Sequence, residues 1–170
     1  MAESLDKPLP NRKHPHRLDP KEYRIPDQIY LVSFRAEYGA NLATPNLAPR
    51  LVKVISDIGR RWRIQLNCYC IMPDHVHLIV TVTDAAGDFG KWIRYAKRET
   101  AKLLGDRKWQ RSYWDTSARD YTGVEGYALY TLHNPVRRGL CARWSEWPFS
   151  WAQWHPRPGE EQSSGDEPEA

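Results

Sequence analysis

Alternating and helically spaced apolar positions divide the chain into a short series of elements. Ile29 to Arg35 (IYLVSFR) is rich in β-branched and aromatic residues and predicts a first strand. After a polar loop, Thr44-Pro45 supplies an N-cap followed by proline, and Leu47, Leu51, Val54, Ile55 and Ile58 recur at helical spacing. That spacing predicts a helix from about Pro45 to Trp62. Ile64 to Met72 and His75 to Val82 (HVHLIVTV) each read as strands, joined into a hairpin at Pro73-Asp74. Asp88 to Leu104 carries Phe89, Ile93, Ala96, Thr100 and Leu103 on one helical face and Lys91, Arg94, Arg98 and Lys102 on the opposite one. Arg111 to Arg119 predicts a fourth strand. Val124 to His133 predicts a third helix, halted by Asn134-Pro135 because a residue before proline disfavours helical geometry.

This order predicts an α+β fold, a ferredoxin-like (RRM-like) sandwich whose antiparallel sheet has helices on one face. The pattern divides the chain into a basic, flexible N-terminal arm over 1–25, one folded domain over 26–156 and an acidic, disordered tail over 157–170. At 170 residues there is room for one domain with a core of its own.

Charge sharpens this picture. The net charge is +4, but the segment from Pro158 to Ala170 holds five acidic residues and no basic one. Without it, 25 basic residues face 16 acidic ones, a net of +9, which suits a polyanionic partner. The sequence contains no apolar run long enough for a membrane span, and its first residues lack the apolar stretch of a secretory signal, so the expected location is cytoplasmic with no membrane partner. Cys68, Cys70 and Cys141 show no CxxC spacing and are expected to be reduced thiols.

In strand geometry residues two apart share a face, so His75 and His77 present two imidazoles side by side, able either to ligate one cation or simply to sit half-buried with ordinary hydrogen bonds. Their context, MPDHVHLIV, resembles the His-hydrophobic-His motif of HUH nucleases in the form found in small transposases. NPVRRGL, at Asn134 to Leu140, resembles the tyrosine-helix motif of the same proteins, with Tyr130 in the tyrosine position. WQRSYWDTSARD and WPFSWAQW also look like segments of the REP-associated tyrosine transposases, so the resemblance runs from about Ile29 to Trp154.

The resemblance implies an HUH endonuclease type of fold acting as a DNA transposase. Such a protein cuts and rejoins single-stranded DNA next to hairpin-forming repeats by metal-dependent transesterification, through a 5′-phosphotyrosine intermediate. Tyr130 would be the nucleophile, with Tyr127, one turn earlier, as its competitor. His75 and His77 would hold Mg²⁺ or Mn²⁺. Asn134, four residues after Tyr130, either completes that metal site or serves as a helix C-terminal residue. The partner would be single-stranded or hairpin DNA, and the class leaves a homodimer open, since its members include dimers and monomers. Lys91, Arg94, Lys97, Arg98, Lys102 and Arg111, with Arg137 and Arg138, are the candidate DNA-binding residues, the alternative for the helical stripe being a solvated face. The competing functional class is a domesticated, catalytically silent DNA-hairpin-binding protein that keeps the fold and its basic surface.

Overall fold

The structure is a computed structural model that describes residues 21–118 and 121–154. The acidic tail and most of the N-terminal arm lie outside the described residues. Among the described residues nine strands and α-helices follow in order: β1 (Ile29–Arg35), α1 (Ala48–Arg61), β2 (Ile64–Ile71), β3 (His75–Val82), α2 (Phe89–Ala101), β4 (Trp114–Ala118), α3 (Tyr121–Leu132), a one-turn helix α4 (Asn134–Arg137) and β5 (Ser150–Ala152). The strands form one antiparallel sheet in the order β4-β1-β3-β2-β5. The first six elements alternate β-α-β-β-α-β with β1 and β3 central, the ferredoxin-like arrangement that the hydrophobic pattern predicts.

Both long crossovers bury their apolar stripes on the same sheet face. Leu51 and Ile55 of α1 and Trp92, Ile93 and Ala96 of α2 pack on Tyr30, Val32, Phe34, Val76, Leu78 and Val80. Asp88 caps α2 by accepting from the Lys91 backbone N–H at 2.8 Å. α1 begins three residues later than Thr44-Pro45 suggests. Thr44 instead closes a turn, its Oγ1 accepting from the Leu47 N–H at 3.1 Å, and Pro49 occupies the first helical turn, where no N–H is needed. Packed structure also starts ahead of Pro26, because a 3₁₀ turn over Glu22–Arg24 buries Tyr23, whose hydroxyl donates to Asp115 Oδ2 at 2.8 Å.

α3 corrects one expectation. Helices cover both faces of the sheet, not one: Val124, Ala128 and Leu132 pack on Leu31, Cys68, Ile79 and Ala152, on the side opposite α1 and α2. A bulge at Asn67 prepares that side. Leu66 opposes Val80 and Cys68 opposes Ile79, so the extra residue moves Cys68 and Cys70 from the α1 face, where alternation from Ile64 would put them, to the α3 face. Asn67 is held by Thr81 Oγ1, which donates to its Oδ1 at 2.7 Å, and its Nδ2 donates to Gln153 Oε1 at 2.8 Å. β5 then extends the sheet at this edge, with Tyr69 stacked on Trp151.

Candidate active site

β3 begins immediately after the Pro73-Asp74 turn, so its first residues stand at the rim of the sheet. His75 and His77 alternate with Val76 and Leu78 and lie on the face of Ile79, the one that α3 covers. Their rings meet edge to face, and the two Nε2 atoms are 2.9 Å apart. Asp74 fixes the tautomer: His75 Nδ1 donates to Asp74 Oδ1 at 2.6 Å, which leaves His75 Nε2 with a lone pair. The other Asp74 oxygen accepts from Arg35 Nη1 at 2.8 Å across the β1–β3 pair.

Electrostatics keep both rings neutral. Burial, reinforced by the neighbouring His75 ring and by the positive charges of Arg137, Arg138 and Arg35, pushes His77 down to about 3. Burial also lowers His75, outweighing the opposing pull of the Asp74 carboxylate. For Asp74, burial acts upward, but the hydrogen bond from His75 and the charges of Arg35 and Arg138 prevail and hold it below the usual carboxylate range. Neutral imidazole is the form that binds a cation. Two nitrogens on neighbouring positions around one cation, each about 2.1 Å from it, are about 3 Å apart. The Nε2 pair has this spacing, so the residues present fit a divalent ion held by two imidazoles. Among the described residues no third His, Cys, Asp or Glu joins them.

Tyr130 lies half-buried on the flank of α3, with Tyr127 exposed one turn before it. α3 ends at Leu132, ahead of Asn134-Pro135 as the sequence suggests, but the helical backbone does not end there. It resumes as α4, because Pro135 falls in the first turn, where a missing N–H costs nothing within the new helix. The missing donor is felt one turn back, since the Thr131 carbonyl would have accepted from residue 135. Asn134 compensates: its Nδ2 donates to Thr131 O at 3.2 Å and to Tyr130 O at 3.3 Å. Its amide nitrogen thus serves the helix junction, the helix-terminal role that the sequence offers as the alternative to metal binding. Arg137 Nη2 donates to Tyr130 O at 2.7 Å, and its guanidinium lies 3.9 Å from the Tyr130 ring centroid.

The candidate basic residues separate into two groups. Arg137 and Arg138 are exposed; the charge of Arg138 acts on both histidines and that of Arg137 on His77. Lys91, Arg94, Lys97 and Arg98 lie on α2, with Lys102 at its C-cap, behind the sheet from the histidines. Lys91 pairs with Asp88, while Arg98 and Lys102 share Glu99. Lys97 Nζ donates to the carbonyls of Gln110 and Ser112, tying α2 to the loop before β4, where Arg111 is exposed. Asp74 and Arg35 are site residues that the hydrophobic pattern does not single out. Their only sequence signal is a carboxylate directly preceding the first histidine and a cation ending the first strand.

Residues 26–125 match the family described as IS200-like transposases. The matched stretch contains His75 and His77 and ends before Tyr130. A REP-associated tyrosine transposase of Escherichia coli (strain K12) is 29% identical over 97 residues, covering 56% of this chain and 59% of the relative. A putative REP-associated tyrosine transposase of Haemophilus influenzae (strain Rd) is 27% identical over 96 residues, 48% of this chain and 54% of the relative. The chain thus spans little more than half the length of the curated relatives it matches. A solved REP-associated tyrosine transposase bound to a REP hairpin superposes with a TM-score of 0.67 over 75% of this chain and 78% of that one; at 23% identity the likeness is one of fold. Because the family match covers more than half of the sequence and contains the paired histidines of the sheet rim, the chain belongs to the IS200-like transposase family.

Proposed function

We propose that the protein cuts and rejoins single-stranded DNA beside a hairpin, with Tyr130 as nucleophile and His75 and His77 as metal ligands. The observation that carries this reading is the pair of neutral imidazoles with Nε2 atoms 2.9 Å apart, on the sheet face that the tyrosine-bearing helix covers. In the reaction the Tyr130 phenolic oxygen bonds to phosphorus and gives up its proton. The P–O3′ bond breaks, and the departing oxygen takes a proton to become a free 3′-hydroxyl. The product is a 5′-phosphotyrosine diester, so a 3′-hydroxyl can reverse the step and rejoin strands without an outside energy source.

His75 and His77 would hold Mg²⁺ or, with its greater tolerance of nitrogen ligands, Mn²⁺, with Asn134 Oδ1 as a further ligand. When bound, that ion polarises the scissile phosphate and offsets the charge that develops on it. Asp74 orients His75. Arg138 attracts the phosphates of the strand to be cut. Lys91, Arg94, Arg98, Lys102 and Arg111 lie away from the imidazoles and are suited to phosphates of a hairpin stem, the kind of DNA bound by the structural relative; Lys97 braces the loop that carries Arg111. No helix among the described residues is long and apolar enough to cross a membrane.

The test is to incubate the protein with labelled hairpin oligonucleotides drawn from the flanks of its own gene, with Mn²⁺, and to look for a denaturant-resistant protein–DNA adduct. The expected adduct disappears in Tyr130→Phe and His75→Ala while hairpin binding persists. An adduct surviving in Tyr130→Phe moves the nucleophile to Tyr127. Tight binding without an adduct from any flank refutes strand cutting and leaves a hairpin-binding protein.

A further inference from the structure

We infer that Arg137 is a positioning residue for Tyr130, a role that rests on Tyr130 being the nucleophile. Tyr130 stands on the flank of α3, clear of the stripe formed by Val124, Ala128 and Leu132, so burial against the sheet does not fix its ring. What holds the ring is a side chain seven residues later. The Arg137 guanidinium lies 3.9 Å from the ring centroid, closer than Arg98 over Tyr95 at 4.5 Å, and its Nη2 donates to the carbonyl of the same tyrosine at 2.7 Å. One planar group thus grips one residue at two points, on its ring and on its backbone.

The grip depends on the helix junction. Arg137 reaches back to Tyr130 because α4 resumes directly after α3, and Asn134 secures that junction by donating to the carbonyls of Tyr130 and Thr131. Only a guanidinium suits this geometry: it can lie against an aromatic face while an in-plane N–H meets a carbonyl, whereas a lysine ammonium is a compact point charge. Displacement of a reacting group by about 1 Å costs about 100-fold in rate.

Arg137→Lys and Arg137→Gln, compared with wild type, test this with the same hairpin oligonucleotides and Mn²⁺. Three quantities are read: the single-turnover rate of adduct formation, the Kd for the hairpin across a salt series, and the melting temperature. The expected result is a fall in rate of about 30- to 100-fold in both variants, with Kd within about threefold of wild type and an unchanged melting temperature. A role limited to phosphate attraction predicts instead that Arg137→Lys cuts at the wild-type rate. It also predicts that Arg137→Gln loses affinity, with a salt dependence shallower by about one unit. Either result overturns the inference. A second readout needs neither DNA nor metal: proton NMR of the free protein should show Arg137 side-chain resonances shifted upfield by the Tyr130 ring and restored in Tyr130→Leu. Unshifted resonances in wild type also overturn it. An adduct absent from wild type, or surviving in Tyr130→Phe, refutes the nucleophile itself, whereas a Tyr130-dependent adduct formed at the wild-type rate by Arg137→Lys refutes only the clamp.

Discussion

Replacing Asp74 should weaken metal binding without touching a metal ligand. Its carboxylate accepts the Nδ1 proton of His75 at 2.6 Å and so places the lone pair on Nε2, the atom that faces His77. Partners of this kind are worth about 10- to 100-fold in metal affinity, or about 1.4 to 2.7 kcal/mol. Asp74→Asn keeps an oxygen that can accept from Nδ1 but removes the negative charge, so about a tenfold loss is expected. Asp74→Ala removes both and frees the ring to change tautomer, so about a 100-fold loss is expected. The Arg35 salt bridge contributes little to this difference, because both of its side chains are 41% or more exposed and such pairs are worth at most about 1 kcal/mol.

The assay is titration of the DNA-free protein with Mn²⁺, followed by electron paramagnetic resonance of the unbound ion. His75→Ala marks the loss of a ligand, and Arg35→Ala leaves the His75–Asp74 bond intact and should shift affinity by less than about threefold. Hairpin affinity without metal should change little in Asp74→Asn, which separates orientation of the imidazole from folding. If Asp74→Ala binds Mn²⁺ within twofold of wild type, the carboxylate does not orient the ligand and the reasoning fails.

Three further outcomes concern the scaffold. Burial pushes the Cys70 thiol up to about 12 and raises Cys68, and burial likewise raises Tyr23, which the Tyr113 and Asp115 contacts reinforce, and Tyr30. Groups whose folded values are raised hold their protons more tightly when folded, so their stabilisation is complete below the unfolded values, about 8.5 for cysteine and about 10 for tyrosine, and is lost as the pH rises above them. The melting temperature should therefore fall steadily from pH 8.5 to 10.5, and a flat profile would contradict the burial of these groups. Leu132→Ala should cost about 2 to 4 kcal/mol in urea unfolding, because Leu132 is 1% exposed in the contact between α3 and the sheet. A loss below about 1 kcal/mol would mean that α3 is not seated there. Gly59→Ala, which in an open helix gains about 1 kcal/mol, should instead destabilise by about 1 to 3 kcal/mol, since a Cβ would stand 2.5 Å from the Ile64 carbonyl. A raised melting temperature would show that α1 and the start of β2 can separate without cost.

The pattern was legible where local periodicity and tertiary placement agree. IYLVSFR and HVHLIVTV become strands at the expected bounds, and alternation alone puts His75 and His77 on one face. β5 is illegible because three residues, Ser-Trp-Ala, carry no period and become a strand only by pairing with β2. The bulge at Asn67 is equally hidden, although it decides which face Cys68 and Cys70 occupy. Asp74 and Arg35 meet across strands 39 residues apart, so their bond exists only once β1 and β3 pair.

The two faces of the sheet account for the rest. An amphipathic pattern on α2 reports which side of the helix faces out, but not on which side of the sheet the helix lies, so the basic stripe could not be separated from the histidines by spacing alone. A clue to the second covered face was nonetheless present. In HVHLIVTV the positions Leu78 to Val80 are apolar without alternation, and all three are fully buried. A strand covered on one side should alternate, whereas a continuous apolar run asks for cover on both sides. Leu78 and Val80 take theirs from α1 and α2, and Ile79 requires a second layer, which α3 supplies. The same requirement that buries Ile79 brings the tyrosine helix over the histidine face, so the apolar residue two positions beyond His77 helps to assemble the proposed site.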